Sequence, residues 1–232
     1  MRKWEYNEKN QAGATFSDIE RAKLYDNQMK AFRNFTEESK ILIDLLNITN
    51  NSNIIDFGCG TGELTVELAK ACKNIYAIDV SECMLNILKE KAEYQNINNI
   101  KYFNSGFLTY NHEDNPVDIV LTKGALHHLP DFWKTVALKR IYDFIKPNGI
   151  LFLSDVIFSF EIYSYKTDIE KWLNEINAVS GKELYDDALL HIKEEHSTFD
   201  WIMDAMLSKC GFSILSKKVK GTMNIDYICA KN

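Results

Sequence analysis

Two hydrophobic patterns divide the chain near Asn53. From about residue 17 to 48, apolar residues recur at three- and four-residue steps, as at Ile41, Leu42 and Leu45, which predicts amphipathic helices. After Asn53, amphipathic stretches alternate with short apolar runs: NIIDF, IYAIDV, IKYFN, VDIVLT and GILFLSDVIF. Strands that alternate with helices predict βαβ units and a parallel sheet, whose strands are buried on both faces.

The composition is that of an ordinary globular protein and narrows the function classes. The chain is 46% hydrophobic and 26% charged, and its net charge of -6 argues against a nucleic-acid partner. The five cysteines contain no CxxC pair, which favours reduced thiols and a cytoplasmic location. The polar start MRKWEYNEKNQ predicts no signal peptide, and no apolar run has the length of a membrane span.

The stretch IIDFGCGTG at 54–62 joins the first predicted strand to a helix. Gly58, Gly60 and Gly62 permit a tight turn and a close approach to a ligand at the carboxyl edge of the sheet. The spacing is DxGxGxG, whereas the dinucleotide fingerprint is GxGxxG. Asp56 would repel a pyrophosphate but suits a ligand with an ammonium and a sulfonium, so S-adenosylmethionine is the predicted cofactor.

Five segments, in the same order, resemble the class I S-adenosylmethionine-dependent methyltransferases. They are IIDFGCGTGELTVELA, IYAIDVSECMLNILKEKA, LTKGALHHLPD, KPNGILFLSDVIF and the closing pair FSILSKKVK with MNIDYICAK. The resemblance implies a Rossmann-like α/β fold: a seven-stranded, mostly parallel sheet with an antiparallel C-terminal strand and helices on both faces. A helical lid insert is expected after strand 5.

The resemblance also implies a set of cofactor-binding residues: Tyr25, Asp56, Gly58, Cys59, Gly60, Thr61, Gly62, Asp79, Val80, Met84, Gly106, Phe107, Thr122 and Lys123. Asp79 would accept the two ribose hydroxyls and Asp56 would orient the methionine amino group. Other roles stay open, because Asp79 and Ser81 also suit a helix cap and Met84 also suits a core position. Tyr25 either closes over the methionine end or packs.

One segment departs from the family pattern. Related enzymes often carry Gly-Asp-Phe after strand 3, where the aspartate accepts a proton from the adenine amino group. This chain has Ser105-Gly106-Phe107, so the carboxylate is replaced by Gly106. We expect the adenine to be held by backbone groups of Phe107 or by Ser105.

The methyl acceptor is predicted to be a small molecule. The segment after strand 4 lacks the Asn/Asp-Pro-Pro-Tyr of nucleic-acid and glutamine methyltransferases, and no proline precedes a cysteine as cytosine C5 chemistry requires. Two alternatives stay open: a protein or RNA methyltransferase, and a non-catalytic S-adenosylmethionine-binding protein. A monomer or homodimer without a membrane partner is expected.

The histidines are candidates for a catalytic base, or for core and capping roles, but not for a metal site. The candidates are His127, His128 and His196. His127 and His128 are adjacent and should project in different directions, with no third ligand spaced to join them. His191 and His196 would lie about 140° apart on a helix.

We expect a single domain over 1–232, with N-terminal helices at 1–50, a cofactor-binding core at 51–157, the insert at 158–197, and a final helix with closing strands at 198–232. The insert should contain two helices, one around Trp172 and one around Leu189. An aromatic cluster precedes them: Phe158, Phe160, Tyr163 and Tyr165. It would either form acceptor-pocket walls, with Glu195 or His196 as a polar anchor, or dock the insert on the core.

Overall fold

The N-terminal part of the chain forms two helices. The computed structural model describes residues 3–10, 13, 18–221 and 223–232. Helix α1 spans Ile19–Phe32 and α2 spans Phe35–Leu45. Each begins where a side chain accepts a backbone N–H of the first turn, Asp18 from Glu20 and Asn34 from Glu37, which satisfies one of the unpaired donors at a helix start.

The core alternates strands and helices as the apolar runs predict. In chain order its elements are β1 (Asn53–Phe57), α3 (Glu63–Ala69), β2 (Asn74–Asp79), α4 (Glu82–Tyr94), β3 (Ile100–Asn104), β4 (Val117–Lys123), α5 (Asp131–Phe144) and β5 (Ile145–Phe158). Parallel pairing places Phe57 of β1 in register with Ile78 of β2 and Thr122 of β4. The carboxyl ends of three neighbouring strands therefore meet at one edge.

The remaining elements are α6 (Tyr165–Glu194), β6 (Thr198–Phe199), α7 (Asp200–Lys209), β7 (Phe212–Lys220) and β8 (Asn224–Lys231). The sheet order is β3-β2-β1-β4-β5-β8-β7, and β8 runs antiparallel to both β5 and β7. The predicted mostly parallel seven-stranded sheet with an antiparallel C-terminal strand is thus confirmed. The short strand β6, which pairs with the end of β5, is an addition that no apolar run announced.

Alternate residues of each buried strand supply two separate cores, one on each face of the sheet. Ile55 and Phe57 pack with residues of α5 and α7, while Ile54 packs with residues of α2, α3 and α4. All three side chains are fully buried. This is why the strands carry continuous apolar runs, and it confirms helices on both faces.

Most of the insert is one long helix, α6, but this helix cannot be straight. The rings of Trp172 and His191 lie 6.3 Å apart between centroids. These residues are 19 positions apart, so a straight helix would separate their Cα atoms by about 28 Å. The segment therefore folds back on itself, and one bent helix is found where the sequence predicted two.

Helix α1 is fastened to the core through a buried carboxylate. Asp26 accepts hydrogen bonds from Thr61 Oγ1 and Lys91 Nζ, both at 2.5 Å, and pairs with Lys30 at 2.9 Å. Burial opposes ionisation of Asp26, but Lys91 and Thr61 outweigh it and lower its pKa. The network ties α1 to the glycine turn and to α4.

Among the described residues, no helix has both the length and the apolar content that a membrane crossing requires.

The Gly62→Ala substitution should destabilise the fold, because Gly62 has φ of 77° and an added Cβ would lie 2.1 Å from Leu88 Cδ1. Backbone strain and overpacking together should lower the free energy of unfolding by about 3 kcal/mol. The matched control is Gly221→Ala, where φ is 65° and no described atom lies within 4 Å of the added Cβ, so only strain of about 1 kcal/mol is expected. Urea unfolding followed by circular dichroism measures both; equal losses would contradict the steric argument.

Candidate functional site

The glycine turn lies at the carboxyl end of β1. Gly58 and Cys59 donate backbone N–H groups to the Ile78 carbonyl, at 2.8 and 3.2 Å, so the turn is held against β2. Gly60 has φ of 55°, and no described atom lies within 4 Å of the position that a Cβ would occupy. Any larger residue would extend into this open space, which is the cradle that a closely approaching ligand needs.

Asp79, at the end of β2, joins two turns. Its Oδ2 accepts the Gly60 N–H at 2.8 Å and its Oδ1 accepts the Ser81 N–H at 2.8 Å. Ser81 itself caps α4 by accepting from Met84 N, so the capping interpretation and a ligand role for Asp79 are compatible. Burial raises the pKa of Asp79, and the two backbone donors partly offset this effect.

Asp56 is a buried carboxyl beneath the turn. Its Oδ2 accepts a hydrogen bond of 2.6 Å from Thr65 Oγ1. Burial raises its pKa to about 7; the Thr65 hydrogen bond opposes the shift and the nearby Asp79 charge adds to it. Asp56 and Asp79, two buried carboxyls with raised pKa values, therefore lie close together at the turn. Their position favours a cationic ligand there.

Glu8, from the N-terminal segment, occupies the place of the carboxylate that the sequence lacks at position 106. A Cβ added to Gly106 would lie 2.4 Å from the carboxyl carbon of Glu8. Glu8 is buried and accepts from Leu108 N at 3.0 Å and from Thr109 Oγ1 at 2.7 Å. Sequence reasoning missed this residue because nothing in the local pattern connects it with a loop 100 residues away.

These groups line one pocket, with about 1120 Å³ of empty space that is partly open to solvent. All of the predicted cofactor residues except Thr122 line it. Leu121 and Lys123 of β4 face the pocket; Thr122 lies between them, and alternate strand residues face opposite sides. Thr122 is therefore corrected to a buried sheet position. Met84 lines the pocket and also belongs to a buried cluster with Ala22, so its position is compatible with both of its suggested roles.

Helices α1 and α2 and the residues between them contribute lining residues that the motifs do not contain: Tyr25, Met29, Arg33 and Phe35. Glu38 of α2 pairs with Lys123 at 2.5 Å and with Arg33 at 2.8 Å. Burial lowers the pKa of Lys123. The positive charge of Arg33 lowers it further, whereas the negative charge of Glu38 opposes the shift. Two cations thus share one carboxylate beside the pocket.

The candidate bases occupy different places. His128 lines the pocket, whereas His127 is buried behind it with Nδ1 2.5 Å from Asp155 Oδ1 and Nε2 3.2 Å from Glu195 Oε2. Burial opposes the charged imidazole, but Asp155 and Glu195 outweigh it and raise the pKa of His127. His196 does not line the pocket and meets His127 through its backbone N–H, at 2.9 Å from the His127 carbonyl.

The sequence-based argument against a metal site at His127 and His128, that they project apart and lack a third ligand, is wrong. His127 and His128 end a short 3-10 turn, Leu126–His128, and their ring centroids lie 4.4 Å apart. Ligand atoms of His127, His128 and Glu195 all lie within 4.8 Å of one another. Glu195 comes from the end of the insert, so its spacing along the chain gave no signal.

The four aromatic residues between positions 158 and 165 do not line the pocket. Phe158 and Phe160 pack on Phe199, with ring centroids 5.5 and 5.6 Å from it. Tyr163 is 95% exposed and Tyr165 is 44% exposed. Phe158 and Phe160 therefore pack against β6, the two tyrosines are exposed, and residues of α1 and α2 line the pocket instead.

Comparison with known proteins agrees with this geometry. The family model described as a methyltransferase domain matches residues 54–149. An uncharacterized methyltransferase of Oceanobacillus iheyensis is 30% identical over 156 residues, which cover 63% of this chain and 69% of the relative. One from Bacillus mycoides is 31% identical over 125 residues, which cover 54% of this chain and 56% of that relative, little more than half its length.

Solved structures share the fold at low identity. An S-adenosylmethionine-dependent methyltransferase from Clostridium acetobutylicum superposes with a TM-score of 0.68 at 17% identity, over 91% of this chain and 97% of that one. One from Aquifex aeolicus gives 0.63 at 18% identity, over 94% and 100%. The family match and the 30% identity show that the chain belongs to the methyltransferases, and the solved structures show that it has the fold of the S-adenosylmethionine-dependent enzymes.

Proposed function

We propose that the protein binds S-adenosylmethionine in this pocket and transfers its methyl group to a small molecule. The observation that carries the proposal is the continuity of the pocket, which runs from Asp79 past the glycine turn to Lys123 and His128. The first part suits a cofactor and the second an acceptor. A recess under α1 and α2 suits a compact acceptor better than a broad macromolecular surface.

Asp79, Asp56 and the glycine turn would hold the cofactor. Each oxygen of Asp79 accepts one backbone N–H, which leaves it further lone pairs for the ribose hydroxyls. The open space at Gly60 admits the ligand against bare backbone. The bound sulfonium supplies an activated methyl group, so the protein's task is positioning and, for some acceptors, taking a proton.

The acceptor end carries positive charge. Arg33 and Lys123 line it with Glu38 as their shared partner, and His128 lies on the same pocket. We assign His128 the role of base, because it faces the pocket whereas His127 is enclosed by carboxylates. The charges favour an acceptor with an acidic group.

A turnover experiment tests this function. Protein is incubated with methyl-labelled S-adenosylmethionine and a metabolite extract, and S-adenosylhomocysteine and labelled products are measured. We expect release of S-adenosylhomocysteine with label in the low-molecular-mass fraction, and loss of both with Gly60→Ala, whose added methyl would enter the pocket. Label in added protein or RNA would favour a macromolecular acceptor. Cofactor binding without any turnover would favour a non-catalytic role.

Cofactor affinity should depend on the ionisation of Asp56. Because its pKa is about 7 and a cationic ligand prefers the carboxylate, the dissociation constant should be about tenfold larger at pH 6 than at pH 8. The same raised pKa means that the folded state binds the proton more tightly than the unfolded state, so stability without cofactor should fall from about pH 4 to pH 7. Calorimetric titration at several pH values measures the affinity.

The control for this titration is Asp56→Asn, which keeps the shape but cannot ionise. It should bind more weakly at pH 8 and show a nearly flat profile. A wild-type profile without slope, or the same slope in the variant, would assign the dependence to another group in the pocket, such as His128.

Glu8 should replace the missing adenine-binding carboxylate. Glu8→Ala should weaken S-adenosylmethionine binding by about 1.5–3 kcal/mol, the range for hydrogen bonds to charged groups, and exposed Lys9→Ala should have no effect. Gly106→Asp alone should also weaken binding, because its side chain collides with Glu8. Combined with Glu8→Ala it should restore affinity, and two independent losses that simply add would contradict the substitution of one carboxylate for the other.

A further inference from the structure

A cluster of three histidines and two carboxylates lies directly behind the acceptor end of the pocket. His127 and His128 follow β4, Asp155 lies on β5, and His191 and Glu195 come from the end of the insert. Three separate parts of the chain therefore converge at one point. A role of His128 as base leaves most of this cluster without a function.

Both ring nitrogens of His127 face carboxylates, and the two carboxylates differ in what else they bind. Asp155 is firmly held as an acceptor, since Oδ1 receives the Val156 N–H at 2.8 Å and Oδ2 receives the His127 N–H at 3.1 Å. Its Oδ1 also faces His127 Nδ1, while Glu195 faces Nε2 of the same ring. A neutral imidazole has one N–H and a carboxylate has none. When that N–H is on Nδ1 and faces Asp155, the contact between Nε2 and Glu195 needs either a second proton or a metal ion.

The spacing of the ligand atoms suits a metal ion. Two ligands on one tetrahedral Zn²⁺, with bonds of about 2.0–2.2 Å, lie about 3.4 Å apart. His127 Nε2 and Glu195 Oε2 are 3.2 Å apart, and all three ligand atoms of His127, His128 and Glu195 fall within 4.8 Å.

The surroundings fix the ligands as outer-shell groups do at metal sites. Asp155 on Nδ1 of His127 orients Nε2 toward Glu195, the arrangement in which a carboxylate supports a ligating histidine. His191 Nδ1 contacts the same Glu195 oxygen, and its Nε2 lies 2.6 Å from Ser197 Oγ. Lys134 also lies near the cluster, but its ammonium is bonded to Asp131 and to the His196 carbonyl.

We propose that His127, His128 and Glu195 bind one divalent first-row transition metal ion. Two imidazoles and one carboxylate are the donors that Zn²⁺, Fe²⁺ and related ions accept, whereas Mg²⁺ and Ca²⁺ prefer oxygen ligands. Because His128 also lines the pocket, an open coordination position would face the acceptor. That second role, holding an acceptor oxygen or sulfur, rests on the proposed function, but metal binding itself does not.

Titration of chelator-treated full-length protein with Zn²⁺, without cofactor or acceptor, tests the site. We expect one equivalent to bind with a micromolar or lower dissociation constant, and Co²⁺ to give visible absorption bands typical of a nitrogen and oxygen environment. His128→Ala and the conservative Glu195→Gln should each weaken Zn²⁺ binding at least tenfold. Two other histidines serve as controls: His196→Ala, beside Glu195, and His112→Ala, bonded to Tyr110 and Asn115, should bind as wild type.

Absence of saturable one-to-one Zn²⁺ binding to the wild-type protein would overturn the proposal and assign the cationic position to a proton. Equal affinity of the wild type, His128→Ala and Glu195→Gln would also overturn it, since the metal would then bind elsewhere. Circular dichroism verifies that the variants fold. Because the titration needs no methyl transfer, failure of the metal site and failure of the methyltransferase function give different results.

Discussion

The buried carboxylate of Asp79 is the interaction on which the pocket depends. By accepting the N–H groups of Gly60 and Ser81, it fixes the β1–α3 turn against the β2–α4 turn. Parallel pairing brings the two strand ends to the same edge, and the bare glycine backbone then has a defined position instead of many accessible ones. The cost of burying the charge, expressed in its raised pKa, is tolerated because two backbone donors hold it and a cationic ligand is expected beside it.

The N-terminal segment completes what the α/β core begins. Asp26 of α1 accepts a hydrogen bond from Thr61 of the glycine turn, so α1 is bonded to the same turn that Asp79 holds through Gly60. Glu8 places a carboxylate where Gly106 offers only hydrogen. The missing side chain of Gly106 makes room for a carboxylate from another part of the chain, the group that we propose as the replacement for the adenine-binding aspartate.

The sequence predicts the sheet and the position of the glycine turn well, because both follow from local rules. Continuous apolar runs specify strands buried on two faces, and the DxGxGxG spacing places Asp56 and the turn at one strand end. It predicts poorly where polar residues meet across long separations. Glu8 bonds Leu108 and Glu195 reaches His127, yet neither pair shows periodicity or motif. The assignment of Thr122 to the cofactor site failed for a simpler reason. A motif predicts where a strand ends but not which face of the sheet each of its residues occupies.

The charges of the pocket also order its two ends. Asp56, Asp79 and Glu8 supply carboxyls at the end that suits the cofactor, while Arg33, Lys123 and His128 lie on the same pocket with Glu38 as the partner of the first two. A cationic cofactor and an acidic acceptor would each be drawn to the opposite charge, and the methyl group would lie where the two regions meet. A metal ion held by His127, His128 and Glu195 would add to the positive end. It would favour the ionised form of an acceptor oxygen or sulfur, so the metal-loaded protein would need no base beside the methyl group, whereas in the metal-free protein His128 is the base that faces the pocket.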